Sequence, residues 1–454
     1  MAESSSSSSN SNNGSSSPVK RIPQDHLFSI LLLLPIESIL SFSMTCKKVR
    51  SLANSDSLWE SVCRRDWGNG PFEALKACND LRLPWKKLYQ QVYELDSVFC
   101  RRLLAVEESV PTSRASHSLN LVSGCLVLFG GGCTGGRHLD DTWVAYTGTD
   151  LRTTLKWQKM NSGIPSGRFG HSCVVVGEHL VLFGGINDNG VRQTDTWIGQ
   201  VTVDSKHRIT MTWRLLDVGS ISPPPRGAHA ACCIGDRRML IHGGIGPSAR
   251  RLDDMWILEL SEDLCHGIWK KVVAQPCPSS RSGHTLTHIG GMQTILFGGR
   301  GMGYEVLNDV WLLDASDDHW RWAQLLFELR NVPHGVSLPR VGHSANLIIG
   351  RRLLIYGGED SYRHRKDDFW VLDVSSMQQP RILKQNRLFR RMWKRLESKG
   401  DKPDSRSFHG ACVDDSGRFL YIHGGMIDGL IQPADSSGLR FDGESFVVDL
   451  LHQP

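Results

Sequence analysis

The sequence predicts an α+β chain of several domains: a small all-α domain, then a larger all-β domain of six repeated units closed by a strand from its N-terminal side. Three observations lead there. A short apolar run followed by a glycine pair recurs six times, and glycine-bounded runs of that length form buried strands rather than helices. Arg-x-x-His precedes every run, and tryptophan follows five of the six glycine pairs at a constant distance. Between Ile22 and Trp67, in contrast, the apolar residues recur at helical spacing.

Taken in order, residues 1–18 are almost all Ser and Asn, with too little apolar surface to offset the entropy of ordering, so a disordered tail is expected. The start lacks the pattern of a secretory signal. The most apolar stretch, Leu27 to Leu40, is broken by Pro35 and Glu37 and is too short to cross a bilayer, so no membrane contact is expected. Leu27, Ile30, Leu31 and Leu34 share one helical face, and Pro35 ends that helix and starts another. Ile36, Ile39 and Leu40 form the next face, and Cys46, Val49, Leu52 and Ala53 a third. Three helices in so short a domain (residues 20–67) cannot bury this much apolar surface among themselves, so a partner surface is expected. Residues 68–95 then link to the β domain, with a helix around Trp85, Leu88, Tyr89 and Val92 packed on the preceding helices or on the first β unit.

Residues 96–454 carry the repeats. Arg-x-x-His stands at Arg114/His117, Arg168/His171, Arg226/His229, Arg281/His284, Arg340/His343 and Arg406/His409. The glycine pairs begin at Gly130, Gly184, Gly243, Gly298, Gly357 and Gly424, and the tryptophans are Trp143, Trp197, Trp256, Trp311 and Trp370. The step from first glycine to tryptophan is 143 − 130 = 13, and the next four units give the same difference. Trp157, Trp213, Trp269, Trp322 and Trp393 cue a fourth strand after each of the first five units. After the sixth glycine pair only Glu444 to Leu450 remains, so Val98 to Val106 is expected to pair with the strand around Phe446 and remove an exposed edge.

Successive motif arginines lie 54, 58, 55, 59 and 66 residues apart, near the Kelch period of roughly 50. These units resemble Kelch repeats, which implies a six-bladed β-propeller with one four-stranded blade per repeat. Upstream, Ile22-Pro23, Ile30-Leu31, Leu34-Pro35, Ile39-Leu40, Cys46-Lys47 and Leu58-Trp59 resemble the paired positions of an F-box. Val49 stands where that motif usually has Trp, and Thr45 where it commonly has Val. Together the resemblances imply the substrate-recognition subunit of an SCF-type (Skp1-cullin-F-box) ubiquitin ligase. Ile22, Pro23, Leu27, Ile30, Leu31, Leu34, Pro35, Ile39 and Leu40 would dock on a Skp1-like adaptor, and through it on cullin and RING proteins. The propeller would hold a client protein. The Ser-rich start sets the chain apart from plant F-box/Kelch photoreceptors, which carry a flavin-binding LOV domain. The alternative is a Kelch enzyme or small-molecule binder with a non-functional helical cap.

The loops between glycine pair and tryptophan should emerge on one face of a propeller, and they are basic. They hold Arg137, Arg192, Arg250, Arg251, Arg300, Arg363 and Arg365, with Tyr304 and Tyr362 adding aromatic surface. Such a rim would favour an acidic or phosphorylated client segment, because guanidinium forks match carboxylate and phosphate oxygens. Asp188, Glu305, Glu359 and Asp360 could instead neutralise these charges within the loops.

No catalytic residue, metal site or cofactor is expected. Each motif histidine belongs to a different unit, which fits a repeated structural hydrogen bond better than one metal site. Glu259, Asp263 and His266 come nearest to the ligand spacing of iron-dependent Kelch specifier proteins and miss it by one residue. A net charge of +5 is too mild to argue for nucleic acid. Basic residues between Arg381 and Lys402 (Arg387, Arg390, Arg391, Lys394, Arg395 and Lys399) read as a solvated insertion, with a nuclear-import patch or a client contact as the alternatives. The twelve scattered cysteines, without a CxxC pair, suit reduced thiols in the nucleus or cytoplasm.

Overall fold

The computed structural model describes residues 21–78, 83–106, 109–147, 154–206, 208–316, 319–327, 338–375, 393–428 and 439–452. The Ser/Asn-rich start and Arg387, Arg390 and Arg391 lie outside them. Two compact units divide the chain, Met1–Tyr93 and Glu94–Pro454.

The first unit is helical: α1 (Gln24–Leu33), α2 (Ile36–Ser43), α3 (Lys47–Ala53), α4 (Asp56–Trp67), α5 (Asn69–Ala77) and α6 (Trp85–Glu94). Pro35 caps the start of α2, where a missing N–H leaves no intrahelical bond unmade. Four helices rather than three fall within the first stretch, because Leu58, Trp59 and Val62 join the inward face of α4. One core gathers these three with Leu27, Leu31, Ile39, Val49, Leu52 and Ala53. Val49 is fully buried there, so the smaller side chain fits its site. The linking helix α6 packs on this core rather than standing apart. Its Tyr89 ring lies 5.3 Å from Trp59 and stacks 5.8 Å from Trp67, while its hydroxyl donates to Asp66 Oδ2 at 2.8 Å.

The second unit is a ring of six antiparallel blades. In the fourth, Thr285–Gly290, Gln293–Phe297, Val310–Asp314 and Arg321–Leu325 pair in chain order. The innermost strands are Ser118–Val122, Ser172–Val176, Ala230–Ile234, Thr285–Gly290, Ser344–Ile348 and Gly410–Val413. Each packs against the next, and the last returns to the first. Between blades, a tryptophan of one outer strand fills the gap against the phenylalanine before the preceding glycine pair. Trp213 meets Phe129 at 5.5 Å, Trp269 meets Phe183 at 4.9 Å and Trp393 meets Phe297 at 5.1 Å. Such ring pairs add to the stabilisation that their burial already gives.

Closure follows the expected route. Ser97–Ala105 runs antiparallel to Leu439–Asp449, with Arg102 opposite Phe446, and so completes the sixth blade. It does more than the sequence indicated. Its first residues pair in parallel with Glu397–Gly400 of the fifth blade, and Leu104 and Ala105 pair with Thr154 and Leu155 beside the first. One strand thus ties three blades, and no edge is left open at the join.

Candidate functional site: the loop face of the propeller

Each glycine pair follows the second strand of its blade, or in the sixth lies within it, and abuts the next blade. Gly298 (φ 67°) and Gly299 (φ 98°) have positive φ, and a Cβ on Gly298 would meet the Arg340 carbonyl at 2.7 Å and His343 Cε1 at 3.0 Å. That room lets the second glycine donate to the next blade. Gly131 donates to Arg168, Gly185 to Arg226, Gly244 to Arg281, Gly299 to Arg340, Gly358 to Arg406 and Gly425 to Arg114, all within 2.8–2.9 Å.

The motif arginines are fully buried. Arg281 donates to both carboxylate oxygens of Asp309 (2.6 and 2.8 Å) and to the Gly298 carbonyl (3.1 Å), while Trp311 Nε1 donates to Asp309 Oδ2 at 2.7 Å. Asp141, Asp195, Asp254 and Asp368 repeat the same pairing with Arg114, Arg168, Arg226 and Arg340, and Asp442 accepts from Arg406. Burial pushes the Asp309 carboxyl up, but the Arg281 hydrogen bonds and charge outweigh it and hold the group below the usual carboxylate range. The aspartate two residues before every tryptophan was the sequence signal for this pair. Its partner could not be seen because 27 or 28 residues separate the two in five of the blades.

Four of the six motif histidines bond across blades to inner-strand hydroxyls. His171, His229, His343 and His409 face the hydroxyls of Ser118, Ser172, Thr285 and Ser344 at 2.7–3.0 Å. Where the preceding blade offers Ala230 or Gly410 in place of a hydroxyl, a histidine replaces the aromatic residue before the glycine pair. His242 Nδ1 lies 3.0 Å from His284 Nε2, and His423 stands edge-on to His117 at 5.5 Å. Burial, reinforced by neighbouring arginines, drives the His171, His242, His343, His409 and His423 pKa values down to about 3. The same causes, with neighbouring histidines, hold His117, His229 and His284 well below the usual value. The six inner strands enclose an axial channel of about 580 Å³.

Two residues after each motif arginine the chain turns into the left-handed region, and these six positions form a closed circle of backbone hydrogen bonds. Gly170 donates to Ser116, Ala228 to Gly170, Gly283 to Ala228, Gly342 to Gly283, Phe408 to Gly342 and Ser116 to Phe408, at 2.7–2.9 Å. Adjacent chain segments bring the basic loops to this same end. Gly227 bridges Ile245, which bridges Arg251; Val341 bridges Glu359, which bridges Arg365.

The loop arginines divide into two sets. Arg300 pairs with Glu359 at 2.5 Å, and Arg365 pairs with Asp428 at 2.5 Å, each bond crossing from one blade to the next. Their side chains are 17% and 6% exposed, so their charge serves inter-blade cohesion and they are not the free cations the sequence had them be. Arg251 is half-buried, donates to Ser282 Oγ at 3.1 Å and lies over the Tyr304 ring at 4.6 Å. Arg192 is half-buried as well. Arg137, Arg250 and Arg363 are exposed and carry no ion pair among the described residues. Tyr304 and Tyr362 are 71% and 80% exposed. Glu359 and Asp360 do act as internal neutralisers, of Arg300 and of Lys366, whereas Asp188 accepts from the His138 backbone N–H at 2.5 Å and Glu305 is exposed with no ion pair among the described residues.

In the helical unit the proposed docking residues also divide. Leu27, Leu31 and Ile39 are buried, because their faces of α1 and α2 turn into the core, so they hold the helices and offer no surface. Ile22 and Leu34 are half-buried, Pro23 and Pro35 exposed, and Ile30 and Leu40 exposed at 41% and 44%. Leu33 (84%) and Met44 (72%), which the helical-face pattern passed over, are the most exposed apolar side chains among the described residues of this unit.

A small helical unit and a closed propeller of repeated four-stranded units define a class, and comparison with known proteins agrees. Residues 19–65 match the F-box-like family, and residues 86–261 match the KLHDC2/KLHL20/DRC7 Kelch-repeats domain. The chain belongs to the F-box/kelch-repeat proteins. It is 56% identical over 453 residues to the F-box/kelch-repeat protein At1g51550 of Arabidopsis thaliana, covering 96% of this chain and 93% of that one. Adagio-like protein 1 of Oryza sativa subsp. japonica is 30% identical across 85% of this chain and 59% of its own length. The solved structure of YjhT, at 13% identity and a TM-score of 0.52, covers 74% of this chain and 95% of that one and shares the fold.

Proposed function

We propose that the chain is the substrate-recognition subunit of an SCF-type ubiquitin ligase. The helical unit docks on a Skp1-like adaptor, and the propeller holds a client protein for ubiquitin transfer by partner subunits. The observation that carries the reading is the exposure of four large apolar side chains, Ile30 and Leu33 of α1 and Leu40 and Met44 of α2 and its C-terminal end, on an F-box-type unit. Side chains of that size left in water around a filled core favour a protein partner. The chain performs no covalent step itself. Its contribution is to raise the effective concentration of client at the transferring end.

On the propeller, Arg137, Arg250 and Arg363 with Tyr304 and Tyr362 form the client face, for a segment rich in carboxylate or phosphate. All twelve cysteines are free, and the working compartment is proposed to be the nucleus or cytoplasm. Capture of a purified Skp1-like adaptor tests the docking. The wild-type chain should retain it, and Ile30→Asp with Leu33→Asp should abolish capture while leaving helical content unchanged. Retention by the double variant would refute the assignment.

A further inference from the structure

The circle of left-handed residues at the loop end of the axis is made of small side chains with one exception. Ser116, Gly170, Ala228, Gly283 and Gly342 occupy five places, and the sixth is Phe408 at φ 55°. A bulky L-residue adopts that conformation only at an energetic cost, which glycine escapes. The Phe408 ring does not turn away. A Cβ on Gly342 would lie 2.8 Å from its Cδ1, Cε1 and Cζ, and one on Gly283 would lie 3.7 Å from Cε1. The ring therefore reaches from the sixth blade over the fifth toward the fourth, across the end of the axis. Glycine at 283 and 342 leaves the space it occupies. Phe408 is half-buried, so part of this residue stays open to solvent.

Strained conformations held by their surroundings collect at functional sites. Around this ring the same end of the propeller carries the unpaired Arg137, Arg250 and Arg363 and the exposed Met302, Tyr304 and Tyr362. Among the exposed acids of these loops Asp428 pairs with Arg365, while Asp188 and Glu305 stand against Arg137, Arg192, Arg250, Arg251 and Arg363. The surplus charge is positive, which selects an acidic partner. A partly exposed aromatic ring at the centre of a polar rim is the usual form of a binding hot spot.

We propose that Phe408 is the central anchor of the client face, receiving a large apolar side chain carried on an acidic segment of the client, whose flanking carboxylates meet Arg250 and Arg363. The proposal rests on the reading of the propeller as the client-binding unit. The test uses the full chain and labelled synthetic peptides in fluorescence anisotropy: an acidic peptide with a central Trp, and its counterpart with a central Ser. The variant is Phe408→Gly, which installs the residue of three other blades and relieves the strained φ. Its melting temperature should stay at or above that of the wild type, which keeps the test independent of folding. The Trp peptide should bind the wild type about tenfold tighter than the Ser peptide. Phe408→Gly should abolish that preference, and Arg250→Glu with Arg363→Glu should weaken both peptides. Equal affinity of the two peptides for the wild type, or a preference that survives Phe408→Gly, overturns the anchor. If both peptides still weaken with the arginine reversals, the anchor fails and the basic client face stands. If neither peptide binds, the anchor and the acidic client class fall together, and adaptor capture remains to be judged on its own.

Discussion

Lowering the pH from 7.5 to 5.5 should destabilise the propeller steeply, through histidines rather than carboxylates. Among the described residues, His117, His171, His229, His242, His284, His343, His409 and His423 are buried, and burial holds each pKa well below its ordinary value. A folded pKa depressed from about 6.5 means that the unfolded chain takes up protons which the folded chain refuses. Stability is therefore full above the unfolded value and is lost as the pH falls toward the folded values, about 3 for His171, His242, His343, His409 and His423. At pH 5.5 each histidine costs about 1.4 kcal/mol, from RT ln(1 + 10). Eight such groups together cost on the order of 10 kcal/mol, comparable with the whole stability of a typical domain. The aspartates bound to the motif arginines act in a separate window. The depressed pKa values of Asp141, Asp195, Asp254, Asp309 and Asp368 preserve stability until the pH falls below about 4. Urea unfolding followed by tryptophan fluorescence at half-unit pH steps reads the effect directly. A midpoint that does not move between pH 7.5 and 5.5 would refute the buried neutral imidazoles. His171→Asn should lower the proton uptake on unfolding at pH 5.5 by nearly one.

Other substitutions test single links of the structure. Asp309→Ala leaves the buried Arg281 guanidinium without its carboxylate and should cost about 3–5 kcal/mol in urea unfolding, whereas Arg281→Met with Asp309→Leu should recover most of it. Gly299→Ala places a Cβ 2.7 Å from His284 Cβ at φ 98°, and should lower the thermal midpoint far more than Gly291→Ala, where no atom lies within 4 Å. Arg101→Pro in the closing strand removes a donor facing Leu439–Asp449, where Arg101 lies opposite Val447, and should open the ring to proteolysis, while Pro in place of Lys206, in an exposed turn, should not. Reversing Arg250 and Arg363 to Glu should reduce client capture without changing the melting temperature, and reversing Arg300 should lower the melting temperature by breaking its pair with Glu359.

The propeller was legible because its geometry is periodic. A glycine pair needed at every blade junction, and a tryptophan 13 residues later, repeat in the sequence as they repeat in space. The closing strand was legible by arithmetic, since the sixth blade lacked a strand and Val98 to Val106 was spare. Its added pairing with residues 397–400 and 154–155 was not, because nothing local in an apolar run names its second neighbour. On the loop face, sequence placed the arginines but not their partners. Arg300 and Glu359 lie 59 residues apart, so the charge on this face was overestimated. In the helices, an apolar stripe was read as a docking surface, yet a stripe cannot say whether core or partner covers it. Leu27 and Leu31 went to the core, while Leu33 on the other side of the turn was left exposed.

Phe408 shows the opposite case. Its neighbours in the motif are small, and the exception was visible in the sequence, but its meaning needed the backbone angle and the glycines beneath the ring.

The central claim is that one end of the chain grips a ligase adaptor while the other presents a client. Reconstitution with a purified Skp1-like adaptor, cullin, RING protein and ubiquitin enzymes tests it most directly, with ubiquitin added to the chain itself as the readout. The wild type should be modified only when the adaptor is present, and Ile30→Asp, Leu33→Asp and Met44→Asp together should abolish the modification. Modification that ignores the adaptor, or that persists undiminished in the triple variant, would contradict the account.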